Sequence, residues 1–239
     1  MRYIEIAQDS PRNRGVLIPI QSLGKYIDNV GTPLYRSSYI YDEEAVEYVE
    51  KNNSLASYYG PRSIDNILID IDKKDNSDLY TLDKARSIIM DLEDLGVSRH
   101  SIRPYFSGTG YHILLSNELF EFATSQDLPY LVKGTIKEIF PLADHSVLIR
   151  TAIYRVAHTK NQKTGLYKIP LTMKELMHSS AEEIQYLAKG PRFDFGYSEL
   201  VGEGELIQYV VNTPSKTTTL EFNVKVPIGF ILNSPSLFW

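Results

Sequence analysis

Residues 66–78 read NILIDIDKKDNSD, and this stretch constrains the chain more than any other. The run Ile67-Leu68-Ile69 suits a buried strand, yet Asp70 and Asp72 follow it one residue apart. Side chains alternate faces along a strand, so the two carboxylates point the same way. Like charges repel, and partial burial strengthens the repulsion. Two resolutions are open. In one, the strand runs out into solvent and water screens both acids. In the other, a divalent cation turns the repulsion into coordination, since Mg²⁺ takes oxygen ligands and commonly uses one or two carboxylates with substrate phosphates.

The 239 residues, 43% of them apolar, can bury a sizeable core as one large domain or two small ones. No apolar run approaches the ~18 residues of a membrane span, and MRYIEIAQDSPRNRG has no signal-peptide core. The chain has no cysteine, which excludes disulfides, iron–sulfur clusters and Cys-based zinc sites; the expected compartment is the cytoplasm. A net charge of −5 excludes a wholly basic nucleic-acid coat protein but leaves room for a local basic groove.

Residues 1–60 are mixed and rich in tyrosine, with one predicted helix from an Asp42 cap to about Asn52. After the ILIDID strand and a polar loop, Leu82, Ala85, Ile88, Ile89, Leu92 and Leu95 recur at helical spacing, and Gly96 fits the position just past the helix end. Ile102 to Ser116 reads as strand, glycine turn and strand. A helix starts near Asp127-Leu128-Pro129 and runs to about Phe140. Residues 145–170 read as strands and loops. Thr172 with Glu175, and Ser180 with Glu183, each fit a capping box, so two short helices follow. From 191 onward the composition predicts short strands and loops, packing back on the core or leading into a further domain. Alternating helices and strands make the core α/β or α+β.

Two more stretches carry candidate chemistry. Ser107-Gly108-Thr109-Gly110 is a turn able to bring backbone N–H groups close to an anion, followed by Tyr111 and His112 on a strand. It reads either as a tight hairpin with a half-buried histidine or as a phosphate site using Ser107 and His112. It matches neither a P-loop nor a dinucleotide fingerprint. Residues 145–170 hold Arg150, Arg155, Lys160, Lys163 and Lys168 and no Asp or Glu, with Asp144 just before them. This is either a solvated basic hairpin or a phosphate-binding surface. Together the three stretches describe what metal-assisted nucleotidyl transfer needs: carboxylates for two divalent ions, and cations for the triphosphate.

The order of these motifs resembles that of the archaeo-eukaryotic primase superfamily, most closely the primase–polymerases of phages and plasmids. The resemblance rests on a strand ending in DxD (Ile67 to Asp72), on SGTGYH (Ser107 to His112), on Asp144 as a third acid assigned to a later strand, and on Arg150, Arg155, Thr159, Asn161, Lys163 and Gly165 in order. It covers roughly residues 58–171.

The resemblance implies an α+β fold, an α/β unit packed on an RRM-like unit with the active site in the cleft. Residues 1–57 would be the N-terminal part of the α/β unit, 58–171 the catalytic core and 172–239 a C-terminal extension. It implies template-directed synthesis and extension of primers from NTPs or dNTPs on single-stranded DNA. Asp70, Asp72 and Asp144 would hold two Mg²⁺ or Mn²⁺ ions. Ser107, Gly108, Gly110, His112, Arg155 and Lys163 would bind the nucleotide, and Arg150, Thr159, Lys160, Asn161 and Lys168 the nucleic acid. A replicative helicase is an implied partner, although the chain contains no GxxxxGK[ST]. Many relatives carry a Cys/His zinc element tied to initiation; with no cysteine, no zinc is expected and extension is the firmer expectation than de novo initiation. The alternative is a non-catalytic RRM-like nucleic-acid-binding module. A nicking initiator is disfavoured because the five histidines never fall two residues apart. A small-molecule nucleotidyltransferase would act without a template.

Overall fold

The computed structural model describes residues 1–27, 31–141, 143–195, 200, 202–204 and 206–210. In chain order the elements are β1 (Tyr3–Gln8), β2 (Val16–Pro19), α1 (Gly24–Ile27), β3 (Leu34–Ser37), α2 (Glu43–Asn52), β4 (Asn66–Ile71), α3 (Asp78–Asp94), β5 (Ile102–Phe106), β6 (Tyr111–Ser116), α4 (Leu128–Ile139), β7 (Ile153–Arg155), β8 (Ile169–Pro170), α5 (Met173–His178) and α6 (Ala181–Leu187). The strands form two antiparallel sheets, ordered β2-β1-β3-β7 and β4-β6-β5-β8. The fold is therefore mixed α+β. No helix among the described residues is long and apolar enough to cross a membrane.

Local chemistry accounts for most boundaries. Asp42 caps α2 by accepting from the Ala45 N–H. Ser77 caps α3, and Gly96 takes a φ of +85° just beyond its C-terminal cap, a conformation other residues adopt at a cost. Pro129 sits in the first turn of α4, where a missing N–H costs nothing. Both capping boxes form, at Thr172/Glu175 and Ser180/Glu183.

Three strands lie in the N-terminal stretch where the sequence pattern predicts none. In β1, Ile4, Glu5 and Ile6 are all buried, so the apolar–polar alternation of the sequence does not become an in–out one. Glu5 tolerates burial because Arg14 forks onto its carboxylate and the Gly15 N–H donates to it at 3.0 Å. Residues 145–148 form a 3₁₀ turn rather than a strand. Beyond 191 the described residues contain a single 3₁₀ turn, Ile207–Tyr209, and no strand; 211–239 lie outside the described residues.

The core gathers on the second sheet. Ile67, Ile69 and Ile71 of β4 lie beside Leu115, Ile113 and Tyr111 of β6, and the apolar stripes of α3 and α4 join the same buried cluster. Both faces of β4 are covered, which is why it reads as a near-continuous apolar run. A smaller cluster, including Ile4, Ile6, Ile18, Leu34 and Val156, backs the first sheet. Residues 58–171 supply strands to both sheets: β7 pairs with β3, and β8 pairs with β5. The Ser38 N–H donating to the Ala152 carbonyl at 3.0 Å and the Tyr39 hydroxyl donating to the Leu148 carbonyl at 2.7 Å help bind the N-terminal strands to this segment.

Gly110 is where the β5–β6 turn meets β4. A Cβ there would collide with the carbonyl oxygen of Ile71, whereas one on Gly190 would meet open space. Gly110→Ala is expected to lower unfolding stability by about 2 kcal/mol, within the range for overpacking. Gly190→Ala should change it by less than ~0.5 kcal/mol, as surface substitutions do. Urea denaturation compares the two; equal midpoints would mean that the turn does not rest on β4.

Candidate active site

A hollow of about 560 Å³ opens where the two sheets face each other. Asp70 and His112 line it from the second sheet, and Tyr35, Tyr154 and Arg155 from the first. Asp72, Ser107, Asn161 and Lys163 complete the sequence-predicted part of the lining. A larger hollow, about 860 Å³, lies around Asn66, Arg103, Ser116 and Glu118 at the far end of β4 and β6. It contains none of the predicted site residues.

The β4–β6 register places Asp70 opposite His112, and His112 Nε2 lies 3.3 Å from Asp70 Oδ1. Asp144 reaches the same point by a different route. It is not on a sheet strand but caps the 145–148 turn, accepting from the Ser146 N–H at 2.8 Å. Its own N–H donates to the Asp70 carbonyl at 2.8 Å, a single β-bridge on the free edge of β4. The three acids are thus neighbours in unlike settings. Asp72, just past the strand, keeps solvent access, yet partial desolvation of its carboxyl, and then the charges of Asp70 and Asp144, push it toward the protonated form. Burial would also raise Asp144, but hydrogen bonds from Ser146 and the nearby Lys74 ammonium outweigh it and hold Asp144 low. Lys74 Nζ lies 3.4 Å from Asp144 Oδ2.

These acids offer only hard oxygen donors, which suit Mg²⁺ or Mn²⁺. Among the described residues no group of three His, Cys, Asp or Glu is placed to hold a metal ion by itself. Mg²⁺ does not need one, because it keeps waters and binds through one or two carboxylates plus phosphate oxygens. The donor types suit the ion on those terms, with Asp72 close enough to Asp70 and Asp144 to feel both charges.

In the glycine turn both glycines meet close packing. Gly108, at φ +95°, backs onto Asn161 with an added Cβ 2.8 Å from the Asn161 Cβ, and Gly110 backs onto β4. Neither lines the hollow; Thr109 at the turn's tip does. Ser107 is buried, and its Oγ accepts from the Gly110 N–H at 3.1 Å, closing the turn. Arg155 spans the hollow: one Nη donates to the Ser107 carbonyl at 3.0 Å and the other to the Tyr35 hydroxyl at 3.1 Å. Its Nε is buried with no partner among the described residues.

The basic segment divides. Lys163 is exposed at the rim, and Asn161 braces the turn, its Oδ1 accepting from the Lys163 N–H. Arg150 lies outside the hollow, stacked 4.1 Å from the centre of the exposed Tyr59 ring, because its backbone carbonyl is tied to the buried Arg62. Thr159 is buried and donates to the Val156 carbonyl, and Lys160 lies over the Tyr167 ring; neither lines the hollow. Lys168 is 1% exposed, so it cannot touch a template as its sequence context predicts. Tyr35, Lys73, Lys74 and Gln162 line the hollow without having been predicted. The two lysines directly follow the DxD and were legible as its counter-charges; Tyr35 carries no local signal.

The crowding at Asp72 has a testable sign. Its folded carboxyl holds a proton more tightly than the ordinary 3.8, so the folded state loses stability as pH rises above that value. Asp72→Asn is expected to raise the melting temperature of the metal-free protein at neutral pH. Solvent screening of this exposed group limits the gain to a few tenths of a kcal/mol on the order of a surface pair. The gain should vanish below about pH 3.8, where the unfolded carboxyl is also protonated. Thermal melts across pH check both parts; a variant less stable at neutral pH would show that the repulsion is absent.

Comparison with protein-family models, with curated proteins and with solved structures gave no match.

Proposed function

We propose that the protein is a template-directed nucleotidyltransferase of the primase–polymerase kind, extending strands from NTPs or dNTPs on single-stranded DNA. The observation that carries the reading is the meeting of acids, histidine and cations in one hollow between two sheets: Asp70 and Asp72 beside His112, with Arg155 and Lys163 around them. The succession β4-α3-β5-β6-α4, with the β4-β6-β5 order and a single bridge at Asp144 on the β4 edge, is compatible with an RRM-like unit of the split βαβ type.

In this reading Asp70, Asp72 and Asp144 hold the divalent ions. Those ions, when bound, supply charge stabilisation to the transferring phosphoryl group. Arg155 and Lys163 neutralise the triphosphate, one clamped in place and the other free to follow the leaving group. His112 offers an N–H to a phosphate oxygen from a position fixed by the strand register. The 3′-hydroxyl oxygen bonds to the α-phosphorus, the bond to the bridging oxygen breaks, and pyrophosphate departs. Tyr154, beside Asp70 and His112, is a surface on which a base can stack.

The test is incorporation of labelled nucleotide on single-stranded template with Mg²⁺ or Mn²⁺, offering NTPs and dNTPs separately. Wild type is expected to extend a primer. Asp70→Ala and Asp72→Ala should each cut the rate by at least ~10²-fold while keeping the wild-type circular dichroism spectrum. Binding of single-stranded DNA without incorporation would favour the RRM-like binding module, and incorporation without template a small-molecule transferase. Undiminished extension by the double variant would refute the site.

A further inference from the structure

Lys168 is a costly residue to bury. Its side chain is almost wholly buried, and among the described residues no carboxylate forms an ion pair with its ammonium. Nζ lies 2.8 Å from His112 Nδ1 and donates to the Arg155 carbonyl at 2.8 Å. The rings of Tyr105 and Tyr154 flank it, each centroid 4.9 Å away. Burial first, and then the Arg155 charge, push its pKa well down. A lysine placed purely for packing would be bettered by methionine, which fills similar space without desolvating an amine.

What Lys168 does is settled by the groups on either side of His112. Asp70 Oδ1 is 3.3 Å from Nε2 on one side, and Lys168 Nζ is at Nδ1 on the other. Were Nδ1 to carry the imidazole proton, it would meet an N–H of the Lys168 ammonium donor to donor at 2.8 Å, and the Nε2 lone pair would face a carboxylate; both contacts are repulsive. With the proton on Nε2, that N–H faces Asp70 and the hollow, and Nδ1 accepts from Lys168. Lys168 satisfies this arrangement in either charge state: even a neutral amine has two N–H groups, and it has two acceptors, Nδ1 and the Arg155 carbonyl.

We infer that Lys168 is a positioning residue that locks His112 in the Nε2–H tautomer, so that its donor, turned toward Asp70 at the hollow, is placed for a nucleotide phosphate oxygen to accept in place of the carboxylate. The same side chain ties this donor to Arg155: one amine holds the histidine from β6 and the backbone of the arginine from β7, so two phosphate-facing groups on different sheets share one brace. The phosphate role rests on the nucleotidyl-transfer reading; the tautomer does not.

The experiment uses the full chain, labelled with ¹⁵N, and reads the His112 ring nitrogens by long-range proton–nitrogen correlation at neutral pH. His112→Gln identifies the signal. Wild type is expected to show a single neutral tautomer protonated at Nε2. An Nδ1-protonated ring would overturn the inference, whatever the protein's activity. Lys168→Met should keep or raise the melting temperature yet turn the single tautomer into a mixture, and Lys168→Arg should restore it at least in part. A Lys168→Met ring that stays wholly Nε2-protonated would equally overturn the inference. In the incorporation assay, loss of one hydrogen bond to a charged oxygen predicts a KM for nucleotide about tenfold higher in Lys168→Met, with kcat changed less. Absence of incorporation in wild type would sink the polymerase reading while leaving the tautomer result to decide the role of Lys168.

Discussion

The register of β4 on β6 is the constraint on which the rest of the site hangs. It pairs Asp70 with His112 and Ile71 with Tyr111, and it brings the Ile71 carbonyl against Gly110. A slip of one residue would turn every side chain of β4 to the other face. Asp70 would then enter the layer of Ile67, Ile69 and Ile71, where nothing offers it a charge or a hydrogen bond, at a cost of several kcal/mol. Strands buried on both faces are otherwise poorly specified, because apolar residues suit either side. Here the polar pair adds to the specification given by the six-residue pairing and the Gly110 contact, so the core and the candidate site favour the same register.

Charge is handled unequally across the three acids. Asp70 has His112 in contact with it, and Asp144 has Ser146 and Lys74. Asp72 is the one left among like charges, and its carboxyl is the one pushed toward the neutral form. In a protein of net charge −5 this is not a general acidity but a local imbalance, confined to the mouth of the hollow. Perturbed carboxyls with a named charged neighbour, set in a cleft, are where ligands tend to bind. A cation at Asp72 would relieve a repulsion already present, whereas one at Asp144 would compete with Lys74.

Elements whose signals are local were legible in the sequence. Helix α3 announces itself by apolar period and its terminal glycine, and α5 and α6 by reciprocal caps, all within a few residues of one another. The first sheet was not legible, because its strands are short and because β7 pairs with β3 from a distant part of the chain. The acids, Ser107, His112 and Arg155 could be named from motif order. Their surroundings could not. The glycines of SGTGYH suggested an anion cradle, yet their missing side chains are needed for close approach to Asn161 and to the Ile71 carbonyl. The same residue type serves either purpose, and only the packing distinguishes them.

The basic segment makes the point more sharply. Five cations without an acid in 145–170 look like one surface, but the segment runs from one sheet to the other and its side chains end in different media. Arg150 stacks on an exposed tyrosine, Arg155 spans the hollow, Lys160 lies over Tyr167, Lys163 stands at the rim, and Lys168 goes inside. Composition predicted a field; the fold separates it into contacts of different strength. Desolvation works most strongly on the innermost cation, which keeps its place only because a carbonyl, an imidazole and two aromatic rings surround it. A charge so expensive to bury carries more information about the site than the four that solvent can reach, because its cost has to be offset by what it holds in position.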